Sequence, residues 1–234
     1  MPEKNHWSLV IGIGLVVFMA TLDATAVAIA LPAIERGYGV TTTVTEWVVL
    51  GYLLPLIAVS LPAGRWLDGV GLRGAHVFAT AGFGLSSLAA GLAPGIGWLV
   101  AARAVQGTSA GILFALGPMI AARVVRPEAR GRAVGVITSL GPLGAVSGPV
   151  LGGLIVDGLG WPWIFYLNLP VCLAVILIGW AGLSQDRPLV PPGRTLLAEA
   201  VVLARPSSPS CWGCPSRPAA TRPGSSSPSP PCRR

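Results

Sequence analysis

Two ionised side chains, Asp23 and Arg103, interrupt stretches of this sequence that are otherwise apolar for twenty residues or more. An ionised group deep in a bilayer costs about 2.5 to 3.5 kcal/mol even on the lenient insertion scale, so each must find a partner, a wet surface or a task. A carboxylate whose protonation responds to a nearby cation and to hydration is a candidate proton carrier. Counted from Leu9, Asp23 lies about 21 Å into its span, roughly 9 Å from the far face. Arg103 stands five residues past Trp98 on a span running back, about 7 to 8 Å below that same face. Charges of opposite sign at matched depth offset each other's desolvation if both line a shared, partly wet cavity, and we expect the two to interact. A transport role stands beside two plainer readings: a lock between two helices, and separate snorkelling.

Glycine and proline carry a second pattern. Gly141-Pro142-Leu143-Gly144-Ala145-Val146-Ser147-Gly148-Pro149-Val150-Leu151-Gly152-Gly153 falls within one apolar span. Gly144, Gly148 and Gly152 repeat every four residues and share a helix face that another backbone can approach closely, while Pro142 and Pro149 favour bends. Such a face serves ordinary packing and the shaping of a pathway equally well. A third pattern, Gly64-Arg65-Trp66-Leu67-Asp68-Gly69-Val70-Gly71-Leu72-Arg73-Gly74, reads as a sharp turn in which Gly69 and Gly71 permit positive φ. Asp68 there can cap the next helix, pair with Arg73, or latch one helix to another.

The elements that position these residues follow from composition. Of 234 residues 53% are hydrophobic and 11% charged, too apolar for a soluble globular domain. Crossing about 30 Å of hydrocarbon takes roughly 20 helical residues. Six runs of that length appear, approximately Trp7 to Ala30, Trp47 to Leu67, Ala75 to Ala93, Trp98 to Ala121, Ala133 to Val156 and Trp163 to Leu183. The first is too long for a signal-peptide core and reads as a retained helix. The short connections force antiparallel neighbours. Arg65 and Arg73 flank the second connection and Arg123, Arg126, Arg130 and Arg132 crowd the fourth, whereas the first, third and fifth offer only Arg36. The positive-inside rule then places both termini in the cytoplasm of a multi-pass plasma-membrane protein. Trp7, Trp66, Trp98, Trp161 and Trp163 fall near span ends, as interfacial anchors do.

Several function classes are disfavoured. The +7 net charge is concentrated in residues 184–234, where seven Arg face Asp186 and Glu199 without interleaved aromatics, so a nucleic-acid partner is not expected. His6 and His76 are isolated near span ends, and no nucleophile-base constellation or phosphate loop points to an enzyme or a cofactor. No metal site is expected either. Cys172 sits in an apolar run, and Cys211-Trp212-Gly213-Cys214 lacks the surrounding elements and second ligand pair of a redox or zinc site.

Taken in order, these segments resemble the major facilitator superfamily, particularly its fourteen-helix drug:proton antiporters, over residues 22 to about 170. Leu22-Asp23-Ala24-Thr25 through Ala30-Leu31-Pro32 resembles the first-helix signature, and Gly64 to Arg73 the cytoplasmic-loop signature. Arg103-Ala104-Val105-Gln106-Gly107 resembles the fourth-helix motif, Gly141 to Gly153 the antiporter motif of the fifth helix, and Trp161 to Pro170 the entry to the sixth. The resemblance implies proton-coupled export of small molecules, with Asp23 and Arg103 near the proton pathway. It implies that Gly64, Asp68, Gly71 and Arg73 belong to a conformational latch, and that Gly148 and Pro149 lie at the interface between two halves. Ala28 replaces the Asn usual in the first signature, and Gly69 stands where a basic residue commonly follows the loop acid.

The expected architecture is an all-α membrane protein: a six-helix bundle over 1–183, equal to one half of such a fold, and a disordered tail over 184–234. That tail holds eleven of the 22 Pro, with much Ser and Arg, a composition that fits either misread GC-rich coding sequence or a natural truncation. Its expected partners are the lipid bilayer, a small-molecule substrate, protons, and either a second copy or the missing carboxyl-terminal half. Beside export stand a transport-inactive fragment or packing partner, and an uptake carrier of the same fold.

Overall fold

A computed structural model describes residues 7–183, all organised around helices, and the tail expected over 184–234 lies outside them. The first helix, α1 (Trp7–Tyr38), is followed by α2 (Thr42–Gly69), α3 (Leu72–Gly91) and α4 (Ile96–Val124). A 3-10 turn, Pro127–Ala129, leads into α5 (Arg130–Gly158), and the last span is divided into α6 (Pro162–Tyr166) and α7 (Asn168–Gly182).

Several helices run past the limits expected for them. The chain passes helically through Pro32 and on to Tyr38, because one missing N–H bond in a long helix is outweighed by continued packing, here of Ile34, which is buried. Pro142 and Pro149 likewise lie inside an unbroken α5. Pro170 acts differently: it cannot donate to the carbonyl one turn earlier, and the last span is interrupted at Leu167. Five of the six crossings are long and apolar enough to span by length and composition. The exception is α3, whose apolar character is diluted by Arg73, His76, Gly and Ser. At 20 residues it is still about 30 Å long, sufficient for a crossing.

The connections are short, and their glycines differ from those expected. Gly69 lies within α2 and Gly71 caps α3 at φ −71°, while among the described residues the positive φ values belong to Gly39 (63°) and Gly160 (89°). Both end helices by returning an amide to a free carbonyl, Gly39 N–H to Glu35 O at 2.8 Å and Gly160 N–H to Ile155 O at 3.0 Å. Gly160→Ala is expected to lower stability by about 1 kcal/mol, because a Cβ disfavours that region. Thermal unfolding of the detergent-solubilised protein, followed by helical circular dichroism, would measure it.

Packing follows the small residues. α1 lies along α5, and α2 along α4. The α5 ladder faces α1: a Cβ on Gly144 would meet the Phe18 carbonyl, one on Gly148 the Thr25 side chain, and one on Gly152 would lie 2.9 Å from Ala26. Gly141 packs on Val17 of the same helix, while Gly153, Pro142 and Pro149 are turned away. Gly148 is thus buried against α1, whereas Pro149 is exposed. Gly107 and Gly111 of α4 do the same against α2, beneath the carbonyls of Tyr52 and Leu56. The outer surface is strongly apolar, with Leu61, Leu85, Val146, Leu154 and Leu177 all exposed, as a lipid-facing surface requires.

Candidate functional site

The apolar core is divided into two clusters, and buried polar residues of α1, α3, α4 and α7 mark the boundary. One cluster contains Ala20, Tyr52, Phe83, Ala110 and Cys172; the other contains Leu22, Val48, Ala90, Ala102 and Phe165. Between those levels lie Asp23 on α1, Ser87 on α3, Arg103 and Gln106 on α4, and Asn168 on α7, all buried. A charged layer of this kind avoids the cost of isolated ions only if its members satisfy one another.

They do so closely. Arg103 Nη1 donates to Asp23 Oδ2 and, at 2.7 Å, to Gln106 Oε1. Arg103 Nε donates to the Val48 carbonyl at 3.2 Å. The second carboxylate oxygen of Asp23 accepts from Asn168 Nδ2 at 3.0 Å and lies 3.4 Å from Gln106 Nε2. Gln106 Nε2 and Asn168 Nδ2 also reach Ser87 Oγ, at 2.8 and 3.3 Å. The guanidinium sits 4.1 Å above the Tyr52 ring and 5.8 Å from that of Phe165. Tyr52 is in turn held by its hydroxyl, which donates to the Ala20 carbonyl at 3.2 Å.

Asp23 and Arg103 therefore meet, as their matched depth anticipated, and neither snorkels separately. They do not line a wet cavity: both are fully buried. The network is not saturated, since Arg103 Nη2 and Asn168 Oδ1 are buried without a hydrogen-bond partner. The sequence offers Gln106, Phe165 and Asn168 only inside longer motifs, and gives no sign of Tyr52 and Ser87. For Asn168 a signal existed, a lone amide just before Pro170 in an apolar span.

A groove of about 450 Å³ opens on a neighbouring face, walled by Val17, Thr21, Phe114, Pro118, Ile137 and Pro142 among others, and no ionisable group lines it. Thr21 closes its α1 wall by donating to the Gly141 carbonyl of α5 at 2.9 Å. Thr21 and Asp23 are two residues apart, about 200° around the helix, so α1 presents one face to the groove and the other to the charged layer.

The loop residues are placed otherwise than as a compact turn. Gly64 and Asp68 fall inside α2, Gly71 is the N-cap of α3, and Arg73 lays its guanidinium on Trp180 of α7, 4.3 Å from the ring centroid, rather than on Asp68. His76 is buried between α3 and α7, with Nε2 3.2 Å from the Val175 carbonyl and its ring occupying the space beside Gly179. Of the tryptophans, Trp98 donates to the Ala89 carbonyl at 2.9 Å, and Trp161 packs between Tyr38 and Phe165. Among the described residues no group of His, Cys, Asp and Glu has the arrangement of a metal site.

The model of the Major Facilitator Superfamily matches residues 13–220. The chain is 36% identical over 228 residues to the puromycin resistance protein of Streptomyces alboniger, covering 92% of this chain and 44% of that protein. It is 31% identical over 213 residues to the tetracenomycin C resistance and export protein of Streptomyces glaucescens, covering 91% and 40%. The chain thus spans less than half the length of these curated relatives. The crystal structure of a bacterial homologue of the human lysosomal transporter Spinster, inward-facing and occupied, superposes with a TM-score of 0.68 at 17% identity, over 85% of this chain and 49% of that one.

Proposed function

Because the chain belongs to the major facilitator superfamily, a family of membrane transporters, we propose that it takes part in proton-coupled export of small, largely apolar molecules. Its helical bundle equals one half of that fold. The observation that carries the reading is the position of α1 between a buried ion pair and an open, uncharged groove. Asp23 accepts and releases the transported proton. When it is neutral, its pull on Arg103 falls away, and Gln106, Ser87 and Asn168 retain hydrogen-bond partners among themselves. α1 is then freer to shift against α4, and its other face, bearing Val17 and Thr21, moves the groove wall with it.

The lining of the groove selects for uncharged, partly aromatic molecules: Phe114 and Pro118 offer flat apolar contact, and Thr21 and Thr138 offer hydroxyls. Puromycin and tetracenomycin C, named for the two relatives, are the natural first probes. Closure of the groove requires a second six-helix half. Both termini are cytoplasmic in this proposal, in a plasma membrane, and the latch group of Gly64, Asp68, Gly71 and Arg73 lies on the cytoplasmic side. Gly148 packs α5 on α1, and Pro149 faces the second half.

Everted vesicles from cells expressing the chain provide the test. They are expected to accumulate a probe when their lumen is acidified and to lose it on addition of a protonophore. Accumulation only in right-side-out vesicles would reverse the assigned direction, and no gradient-dependent accumulation in either would defeat the reading.

A further inference from the structure

Arg73 stands in the first turn of α3, and its guanidinium carbon lies over the Trp180 ring, 4.3 Å from the centroid. A cation–π contact consumes none of the five guanidinium N–H donors, and that planar fork suits the oxygens of a phosphate. Among the described residues no carboxylate forms an ion pair with it. From that cation a groove of about 400 Å³ runs along α3, walled by Val77, Phe78, Ala81 and Leu85 with Trp180 at its side. Arg73, Val77, Ala81 and Leu85 recur every four residues on one helix face, so the groove extends about 18 Å from its charged end, close to the roughly 15 Å thickness of one hydrocarbon leaflet. Leu85 is 68% and Trp180 60% exposed, on an outer apolar surface that meets lipid.

We propose that this groove is a binding site for an anionic phospholipid, with its phosphate on the Arg73 fork and one acyl chain along Val77, Ala81 and Leu85. Charge complementarity chooses the occupant. An unpaired cation at the interface favours a net negative headgroup over a zwitterionic one, whose own ammonium would oppose Arg73. The apolar track then requires a tail as well as a phosphate. The inference rests on the membrane embedding alone and is independent of transport.

The full chain, reconstituted in phosphatidylcholine vesicles containing a rising fraction of brominated phosphatidylglycerol, reports occupancy through quenching of Trp180. Subtracting the signal of a Trp180→Phe chain removes the other tryptophans. Half-maximal quenching is expected at a mole fraction at least tenfold lower for brominated phosphatidylglycerol than for brominated phosphatidylcholine. Arg73→Ala is expected to abolish that preference, and Ala81→Phe, which fills the track and leaves the cation, to weaken quenching by both lipids. Equal quenching by both lipids in the unaltered chain would overturn the proposal, as would a preference that survives Arg73→Ala. Displacement by glycerol phosphate without acyl chains would show a simple anion site instead, and would also overturn it. Should Arg73→Ala fail to fold, Arg73→Lys provides the same comparison: it keeps the charge but loses the fork, and is expected to retain only part of the preference.

Discussion

Arg103→Ala is expected to destabilise the bundle by about 3 to 5 kcal/mol, because it leaves a buried carboxylate without its counter-ion. Asp23 would keep hydrogen bonds from Asn168 and Gln106, and neither neutralises a charge in an apolar core. The side chain lost is also the largest of the fully buried ones, so a cavity between the Tyr52 and Phe165 rings adds to the cost. Asp23→Asn alone is expected to be harmful for the mirror reason, leaving a guanidinium that already has one unpartnered nitrogen. The combination Asp23→Asn with Arg103→Met is expected to recover most of the lost stability, since replacing both charges by groups of similar volume removes the need for pairing. Thermal unfolding in detergent of the unaltered chain, of Asp23→Asn, of Arg103→Met and of their combination gives the coupling directly. Vesicle transport then separates the two roles open to the pair. If it is only a helix lock, the double variant transports as well as the unaltered chain; if Asp23 carries the proton, the double variant is stable and accumulates nothing. A stable, fully active double variant would end the proton-carrier assignment.

The meeting of these two charges was legible in the sequence because depth in a bilayer is a one-dimensional quantity, counted along each helix at a fixed rise. The angular position of a residue around its helix is not so counted, and there the reading fell short. Sequence pattern could not tell that the pair faces a closed layer, because helices with little amphipathic contrast, hydrophobic on nearly every side, do not announce their inner face. Ser87 and Tyr52 were missed for the same reason: a serine in a helix can bond its own backbone, as Ser87 does to the Phe83 carbonyl at 2.8 Å, and so carries no visible demand for a partner. The first helix runs past its expected end at Ala30, through Pro32 and on to Tyr38, because packing further along the chain decides the matter. The glycine ladder of α5 was readable from its spacing, but its partner was not. Nothing in Gly144, Gly148 and Gly152 says that α1 is the backbone they admit.

Gly107 is where a single added methyl group is expected to do most damage to packing. A Cβ there would be driven into the backbone carbonyl of Tyr52, with the Tyr52 carbonyl carbon at 2.9 Å and Cα at 3.1 Å close behind. Real Cβ atoms do not approach backbone this closely, and a backbone carbonyl cannot swing aside as a side chain can. α2 and α4 must therefore separate, and Gly111 one turn on, beneath the Leu56 carbonyl, is pulled from its own contact. Overpacking of this kind costs about 1 to 3 kcal/mol for a methyl group and more where backbone blocks relaxation, so Gly107→Ala is expected at the upper end and Gly107→Val beyond it. The effect reaches the charged layer, because Tyr52 supplies the ring beneath Arg103, and Gln106, the residue before Gly107, accepts from that same guanidinium. Gly135→Ala makes the control, since nothing lies within 4 Å of its added Cβ and helix propensity favours alanine. Gly135→Ala is expected to unfold at or above the temperature of the unaltered chain and Gly107→Ala well below it, by several degrees. Coincident unfolding of the two variants would mean that α2 and α4 are not in backbone contact, and the placement of Tyr52 against Arg103 would fall with that contact.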